Sequence, residues 1–223
     1  MVDFQTARRA MVDGQVRTND VTHPGVIAAM LEIPREAFVP EARAALAYLD
    51  RDVAIGDATA TEPARYLMKP MVLARLIQAA DPGPQDRVLV IGAGTGYAAA
   101  VMSRLAANVV ALEENQSLLQ QARAVLASLG SHNVTLIDGP LSDGAPASGP
   151  YDVILIDGGV ETVPDPLCGQ LSPHGRLVAV VRSGPLGRAK SFQAVEGKCC
   201  GRELFDANAP ALPGFSLAPT FIF

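Results

Sequence analysis

The chain has 223 residues, 49% of them hydrophobic, enough for one sizeable core and too apolar for a disordered chain. Lys and Arg number 18 against 23 Asp and Glu, so the net charge is −5, and aromatics are only 5% with no Trp. That balance weighs against a general nucleic-acid surface, which needs a dominant basic face and stacking platforms.

No stretch is long and apolar enough for a membrane span, and the charged first 20 residues lack a secretory pattern, so a cytoplasmic protein is expected. The three cysteines, Cys168, Cys199 and Cys200, are an odd set with one vicinal pair, which reads as inert reduced thiols rather than a disulfide framework. His23, His132 and His174 lie far apart, so no metal site is expected.

Residues 1–80 read as a helical segment with an embedded loop. Residues 5–17 place Ala7, Ala10, Met11, Gly14 and Val16 among charges. Thr22 can cap a second helix with Pro24 in its first turn, and Pro34 ends it. A short helix covers 41–48, and another runs from Pro70 to Ala80. Between them, 51–65 reads as a long polar loop, a kind of segment that often carries function.

The character changes at Asp81-Pro82-Gly83-Pro84. Apolar strands at 88–91, 109–112, 134–137, 153–156 and 177–181 alternate with helices at 97–105, 115–129 and 166–171. Continuous apolar strands joined through helices predict a parallel sheet covered on both faces. Strands near 191–197, 201–207 and 217–223 have no helices between them and predict an antiparallel edge. The expected fold is α/β, doubly wound and mostly parallel, in a single domain: 1–80 the helical segment and substrate loop, 81–223 the ligand-binding core.

The chemistry concentrates in Gly92-Ala93-Gly94-Thr95-Gly96, which follows a strand and opens a helix at Tyr97. Glycines there let the turn tighten and a ligand approach the backbone. Glu113 ends the next strand 17 residues after Gly96, with Glu114 beside it, placed to accept hydrogen bonds from ribose hydroxyls. An adenosine-containing ligand is implied. The Gly-x-Gly-x-Gly spacing differs from the dinucleotide fingerprint and resembles the S-adenosylmethionine turn of class I methyltransferases.

A narrower resemblance follows. Residues 33–40, Ile-Pro-Arg-Glu-Ala-Phe-Val-Pro, resemble the signature of protein-L-isoaspartate O-methyltransferases. Met11-Val12 with Gln15, Ala29-Met30, Ala47-Tyr48 with Asp50, Ile55-Gly56, Tyr151 to Ile154 and Val163-Pro164 follow the family's order. The resemblance spans about residues 8–182. It implies a class I methyltransferase sheet and S-adenosyl-L-methionine as cofactor, released as S-adenosyl-L-homocysteine. The methyl acceptor it implies is the side-chain carboxylate of isoaspartyl residues in damaged proteins or peptides. It also places Gly92, Ala93, Gly94, Thr95, Gly96, Tyr97, Glu113, Glu114, Gly139, Pro140 and Leu141 around the cofactor. Asp157 stands where the family often has a Thr-Ala-Ala type segment; its place at the carboxyl edge of the parallel sheet makes it either a further cofactor-site residue or a cap of the following turn. No metal, nucleic acid or membrane is implied.

Three positions depart from the family pattern. Met68 stands where the family has a substrate-contacting Ser, and a thioether has no donor for a carboxylate. Thr59, Thr61 and Lys69 are the nearby groups able to replace it, and Arg65 and Lys69 either attract an acidic acceptor or are solvated surface charges. Val90 replaces an acidic residue that orients the methionine part of the cofactor. Pro140 replaces an Asp near adenine, with Asp138 one residue before Gly139. These changes leave open a methyltransferase acting on another acceptor, including a small molecule, or a non-catalytic cofactor-binding or regulatory module.

Overall fold

The computed structural model describes residues 3–58, 63–184 and 186–217. Helix α1 (Phe4–Met11) starts at Asp3, whose carboxylate accepts the Gln5 and Thr6 amides, and the helical path continues through a π turn, Val12–Val16, to Asn19. Helix α2 (Pro24–Glu32) is capped by His23, whose ring accepts the Val26 amide, not by Thr22 as expected. The Thr22 amide instead donates to the Gln78 side chain.

The expected 51–65 loop contains a hairpin. Strand β1 (Val53–Gly56) pairs antiparallel with β2 (Arg65–Leu67). Alternating burial along both strands is the signal, but two strands this short, separated by polar residues, give little period to read. Thr59 and Thr61 lie outside the described residues. Helix α3 (Pro70–Ala80) matches its predicted bounds, with Pro70 in its first turn and Asp81 left-handed after its end.

Strands β3 (Arg87–Ile91), β4 (Asn108–Glu113), β5 (Val134–Asp138) and β6 (Tyr151–Val160) alternate with helices α4 (Tyr97–Met102) and α5 (Gln116–Ser128). A short helix, α6 (Asp165–Cys168), precedes β7 (Leu171–Ser183), β8 (Leu186–Val195) and β9 (Lys198–Asp206). The sheet order is β5-β4-β3-β6-β7-β8-β9, parallel through β7 and antiparallel beyond it. This is the predicted doubly wound sheet with an antiparallel edge. Of the three C-terminal strands expected, two form, and 218–223 lie outside the described residues.

Val88, Leu89, Val90 and Ile91 are all fully buried, their side chains divided between the two faces of the sheet. On one face α3 packs its Val72, Leu73, Leu76 and Ile77, and on the edge the Arg75 guanidinium lies 3.8 Å from the Phe205 ring. The expectation of three free thiols is corrected: Cys168 of α6 and Cys199 of β9 are joined in a disulfide, with Cα atoms 5.5 Å apart and a sequence separation of 31. Asp165 accepts the Cys199 amide and holds the helix against the strand, which brings the sulfurs together. Cys200 is free and exposed.

Candidate functional site

The site forms at the carboxyl ends of β3, β4 and β6, where an open parallel sheet binds ligands. Beyond Ile91 the backbone turns through positive φ at Gly92, Gly94 and Gly96. At Gly96 a side chain would also lie 3.2 Å from Leu126 of α5, so the glycine sets how closely the turn approaches that helix. The Gly92 and Ala93 amides both donate to Leu112 O at 3.0 Å, which ties the turn to the end of β4.

Glu113, the last residue of β4, is fully buried. Its Oε2 accepts the Gly94 amide at 2.7 Å, and its Oε1 accepts the amides of Glu114 and Asn115 at 3.1 and 3.0 Å. Arg65 of β2 completes the shell with a two-pronged pair, Nη1 to Oε1 at 2.6 Å and Nη2 to Oε2 at 2.8 Å. A buried, bidentate, charge-assisted pair is the strongest polar contact available to either group. Arg65 is 6% exposed, so it is neither a solvated surface charge nor open to an acceptor here.

Under the turn lies a second buried arginine. Arg35, from the signature segment, donates to Ala47 O at 2.7 Å and Met68 O at 2.6 Å, and its guanidinium lies 4.7 Å from the Tyr97 ring. Burial pushes its pKa down against the pull of Tyr97 and Asp157, and burial likewise pushes the Tyr97 hydroxyl up. Phe38 meets Tyr97 edge-on at 5.3 Å, and Phe38 O accepts the Thr95 hydroxyl at 2.6 Å. The signature segment therefore clamps the glycine turn from below. Its role was not visible as chemistry in the sequence; the one signal was a charged Arg among apolar neighbours.

Asp157 sits on β6 beside the turn, 7% exposed, and its Oδ1 has no hydrogen-bond partner among the described residues. Burial raises its pKa to about 7, opposed by the Arg35 and Arg65 charges and reinforced by Glu113 and Asp52. Of the remaining residues singled out in the sequence, Gly139 and Leu141 are near the ends of β4 and β5, with Leu141 buried in the core. Pro140 is exposed, and Asp138 pairs with Gln116. Lys69 lies on a separate cleft of about 300 Å³, lined also by Leu186, Arg188 and Asp206. Met68 is buried, and it is its carbonyl that is used.

Two aliphatic side chains close over the glycines. Leu212 lies against Gly92 and Gly158, and Ile55 of β1 against Gly94. Sequence reasoning missed Leu212 because nothing in its neighbourhood carries a motif. Next to Arg65 a cleft of about 220 Å³ remains, lined by Pro63, Glu114, Asn115 and Pro213. Among the described residues, no group of three or more His, Cys, Asp or Glu is placed to hold a metal ion.

A parallel sheet with an antiparallel edge, a glycine turn after β3 and a buried acid ending β4 define a class I methyltransferase fold. The family model described as Protein-L-isoaspartate(D-aspartate) O-methyltransferase matches residues 6–203, and the chain belongs to that family. A protein-L-isoaspartate O-methyltransferase of Methanoregula boonei is 42% identical over 174 residues, covering 78% of this chain and 77% of its own. One of Pelotomaculum thermopropionicum is 41% identical over the same length, covering 73% of its own chain. A solved protein-L-isoaspartate O-methyltransferase superposes with a TM-score of 0.79 at 28% identity, over 93% of this chain and 66% of that one. A Plasmodium falciparum beta-aspartate methyltransferase, solved in complex with S-adenosyl-L-homocysteine, gives 0.73 at 18% identity over 95% and 99%, a likeness of fold.

The donor and acceptor set fits the family's cofactor. Glu113, buried at the end of β4, would hold ribose hydroxyls in place of Arg65, the glycines would line the turn, and the unpartnered Asp157 oxygen would face a cationic amine. The space over that set is held by the chain's own Arg65, Ile55 and Leu212.

Proposed function

We propose that this protein transfers the methyl group of S-adenosyl-L-methionine to the side-chain carboxylate of isoaspartyl residues in proteins or peptides. The observation that supports this best is the retained pair of elements within a 42% identical family background: the Gly92–Gly96 turn and Glu113 buried at the end of the adjoining strand. The cofactor, when bound, supplies an activated methyl group on a sulfonium. The acceptor carboxylate is already a nucleophile at neutral pH, so no strong general base is required. What the chain contributes is position and exclusion of water. Glu113 would hold the ribose hydroxyls, and the Gly92–Gly96 backbone and Asp157 would line the rest of the crevice. Arg35, Phe38 and Thr95 keep the turn rigid from below.

The methyl ester so formed can close to a succinimide, which opens in part to normal aspartate, so the activity reads as protein repair. We propose a single domain, with 1–80 serving the acceptor and 81–223 the cofactor, and with neither nucleic acid nor membrane as partner. Among the described residues no helix is long and apolar enough to cross a membrane. A cytoplasmic setting remains our reading, and the Cys168–Cys199 bond weighs against it because reducing compartments keep thiols apart. Counting free thiols in protein alkylated inside the cell decides this: all 3 of its cysteines in a reducing compartment, Cys200 alone in an oxidising one.

A second reading, methyl transfer to another acceptor, draws on Met68, whose buried thioether stands where the family presents a hydroxyl. Methyl transfer to an isoaspartyl peptide and to its aspartyl isomer separates the two. Selective methylation of the isoaspartyl form, lost in Glu113→Ala, is expected. Equal or absent transfer to both peptides, with S-adenosyl-L-homocysteine still bound, would favour the second reading.

A further inference from the structure

We propose that the C-terminal segment carrying Leu212, acting with Arg65, is a built-in plug of the cofactor crevice, which must be displaced before the cofactor can enter. The inference rests on the methyltransferase reading above and concerns the regulation of that same site.

Glu113 supplies the first argument. An ionised carboxylate offers about four lone-pair sites. Glu113 already accepts five hydrogen bonds, three from the amides of Gly94, Glu114 and Asn115 and two from Arg65. No acceptor capacity is left for a ribose hydroxyl while Arg65 stays. The three amides are fixed by the turn and the start of α5, so the guanidinium is the group that has to leave.

The glycine turn supplies the second. Residues 92–96 are all buried, although a turn that serves a ligand should present backbone to it. A methyl group placed on Gly92 would lie 2.8 Å from Leu212 Cδ1, and one on Gly94 would lie 2.7 Å from Ile55 Cδ1. Leu212 is in closer contact still with Gly158, at the end of β6. One leucine thus covers two of the strand ends that frame the crevice.

The third argument is how the segment is held. Beyond β9 the chain doubles back along the end of β6. The Gly159 amide donates to Pro210 O at 2.7 Å, and the Leu212 amide donates to Gly159 O at 2.9 Å. Ala211 bridges Gly159 in parallel, and Phe215 is buried beyond it. Further on, the Glu161 amide donates to Phe215 O at 3.3 Å and the Leu217 amide donates to the Glu161 carboxylate at 2.7 Å, so the strap is held by single bonds to the end of β6 and the residue after it, outside the sheet ladder that holds β3, β4 and β6.

A closed majority form lowers apparent affinity by the fraction of chains that are open. If about 1% are open, the apparent Kd rises about 100-fold. Isothermal titration with S-adenosyl-L-homocysteine on the full chain, Arg65→Ala, Leu212→Ala and the double variant reads this directly. Each single substitution is expected to tighten binding by about tenfold or more, and the double further, with the gain abolished by adding Glu113→Gln. Hydrogen exchange on the unmodified chain supplies a reading that needs no substitution: S-adenosyl-L-homocysteine should speed exchange at the Gly159 and Leu212 amides. Equal affinity in all four proteins with unchanged exchange would overturn the plug and leave the methyltransferase reading intact. Absence of binding even in the folded double variant would overturn both, because emptying the crevice of Arg65 and Leu212 would then have opened no cofactor site.

Discussion

Two buried arginines, 30 residues apart, lie beside neighbours of the glycine turn, Arg35 against Tyr97 and Arg65 against Glu113, and are bound in opposite ways. Arg35 is held by two peptide carbonyls and an aromatic face, and among the described residues no carboxylate forms an ion pair with it. Arg65 is held by a carboxylate, which is also the group a ribose would use. Peptide carbonyls of Ala47 and Met68 cannot leave without unfolding their segments. A carboxylate can exchange one partner for another. The first arrangement builds an architecture and the second stores a choice, although the two side chains are identical and almost equally buried.

The largest effect should come from breaking the first arrangement. Arg35→Ala orphans the Ala47 and Met68 carbonyls and empties the space above Tyr97. Two orphaned acceptors at about 1–3 kcal/mol each, plus the cavity, give a loss of about 3–5 kcal/mol. Urea unfolding at pH 7 should show it, and Arg35→Lys should recover only part, since an ammonium lacks the planar fork. A loss below about 1 kcal/mol would mean that the clamp is not what holds the turn.

Next in size is Asp157, the acid that both arginines face. With its pKa raised to about 7, the folded chain holds this proton where the unfolded chain releases it, from near pH 4 upward. Stability therefore falls as pH rises from about 4 to about 7 and levels above that, at about 1.4 kcal/mol per pH unit at most. Asp157→Asn should remove this slope and be the more stable protein at pH 8, by about 2–4 kcal/mol. Parallel slopes in the two proteins between pH 4 and pH 7 would assign the pH dependence to other groups.

Breaking the second arrangement should cost less than breaking the first. Arg65→Ala leaves Glu113 with its three amide donors, so the carboxylate is not orphaned. About 1–3 kcal/mol of stability is expected to go, below the 3–5 typical of a buried ion left with no partner. A double-mutant cycle with Glu113→Gln should return a coupling of about 1–3 kcal/mol. Coupling near zero would remove the contrast between the two arginines.

The contrast also marks what could be read in the sequence. The parallel sheet, its antiparallel edge, the glycine turn and Glu113 were legible because each is a local pattern: apolar runs of strand length, a Gly-x-Gly-x-Gly after a strand, an acid at the next strand's end. Arg35 was legible as part of a motif, but its partners Ala47 and Met68 are backbone carbonyls 12 and 33 residues away, and any residue carries one. Arg65 was legible only as a positive charge, because its partner lies 48 residues on and its burial depends on the hairpin. Leu212 and the Cys168–Cys199 bond were not legible at all. Both depend on where α6 and the chain after β9 come to rest, and neither segment has a period or spacing that says so.

The smallest expected effect isolates how the clamp reaches the turn. Thr95 is buried inside the glycine segment, and its hydroxyl donates to Phe38 O at 2.6 Å across 57 residues of sequence. Thr95→Val keeps the shape and removes the donor, so Phe38 O loses its hydrogen bond from the turn. Because the Arg35 contacts and the Phe38–Tyr97 edge remain, only the hydrogen-bond share should go, about 1–2 kcal/mol. If the clamp acts as one unit, Thr95→Val should cost little once Arg35 is already alanine, and the two losses should sum to less than their separate values. Strict additivity in urea unfolding would show instead that Arg35 supports the N-terminal segment alone, and that the turn stands on its own glycines.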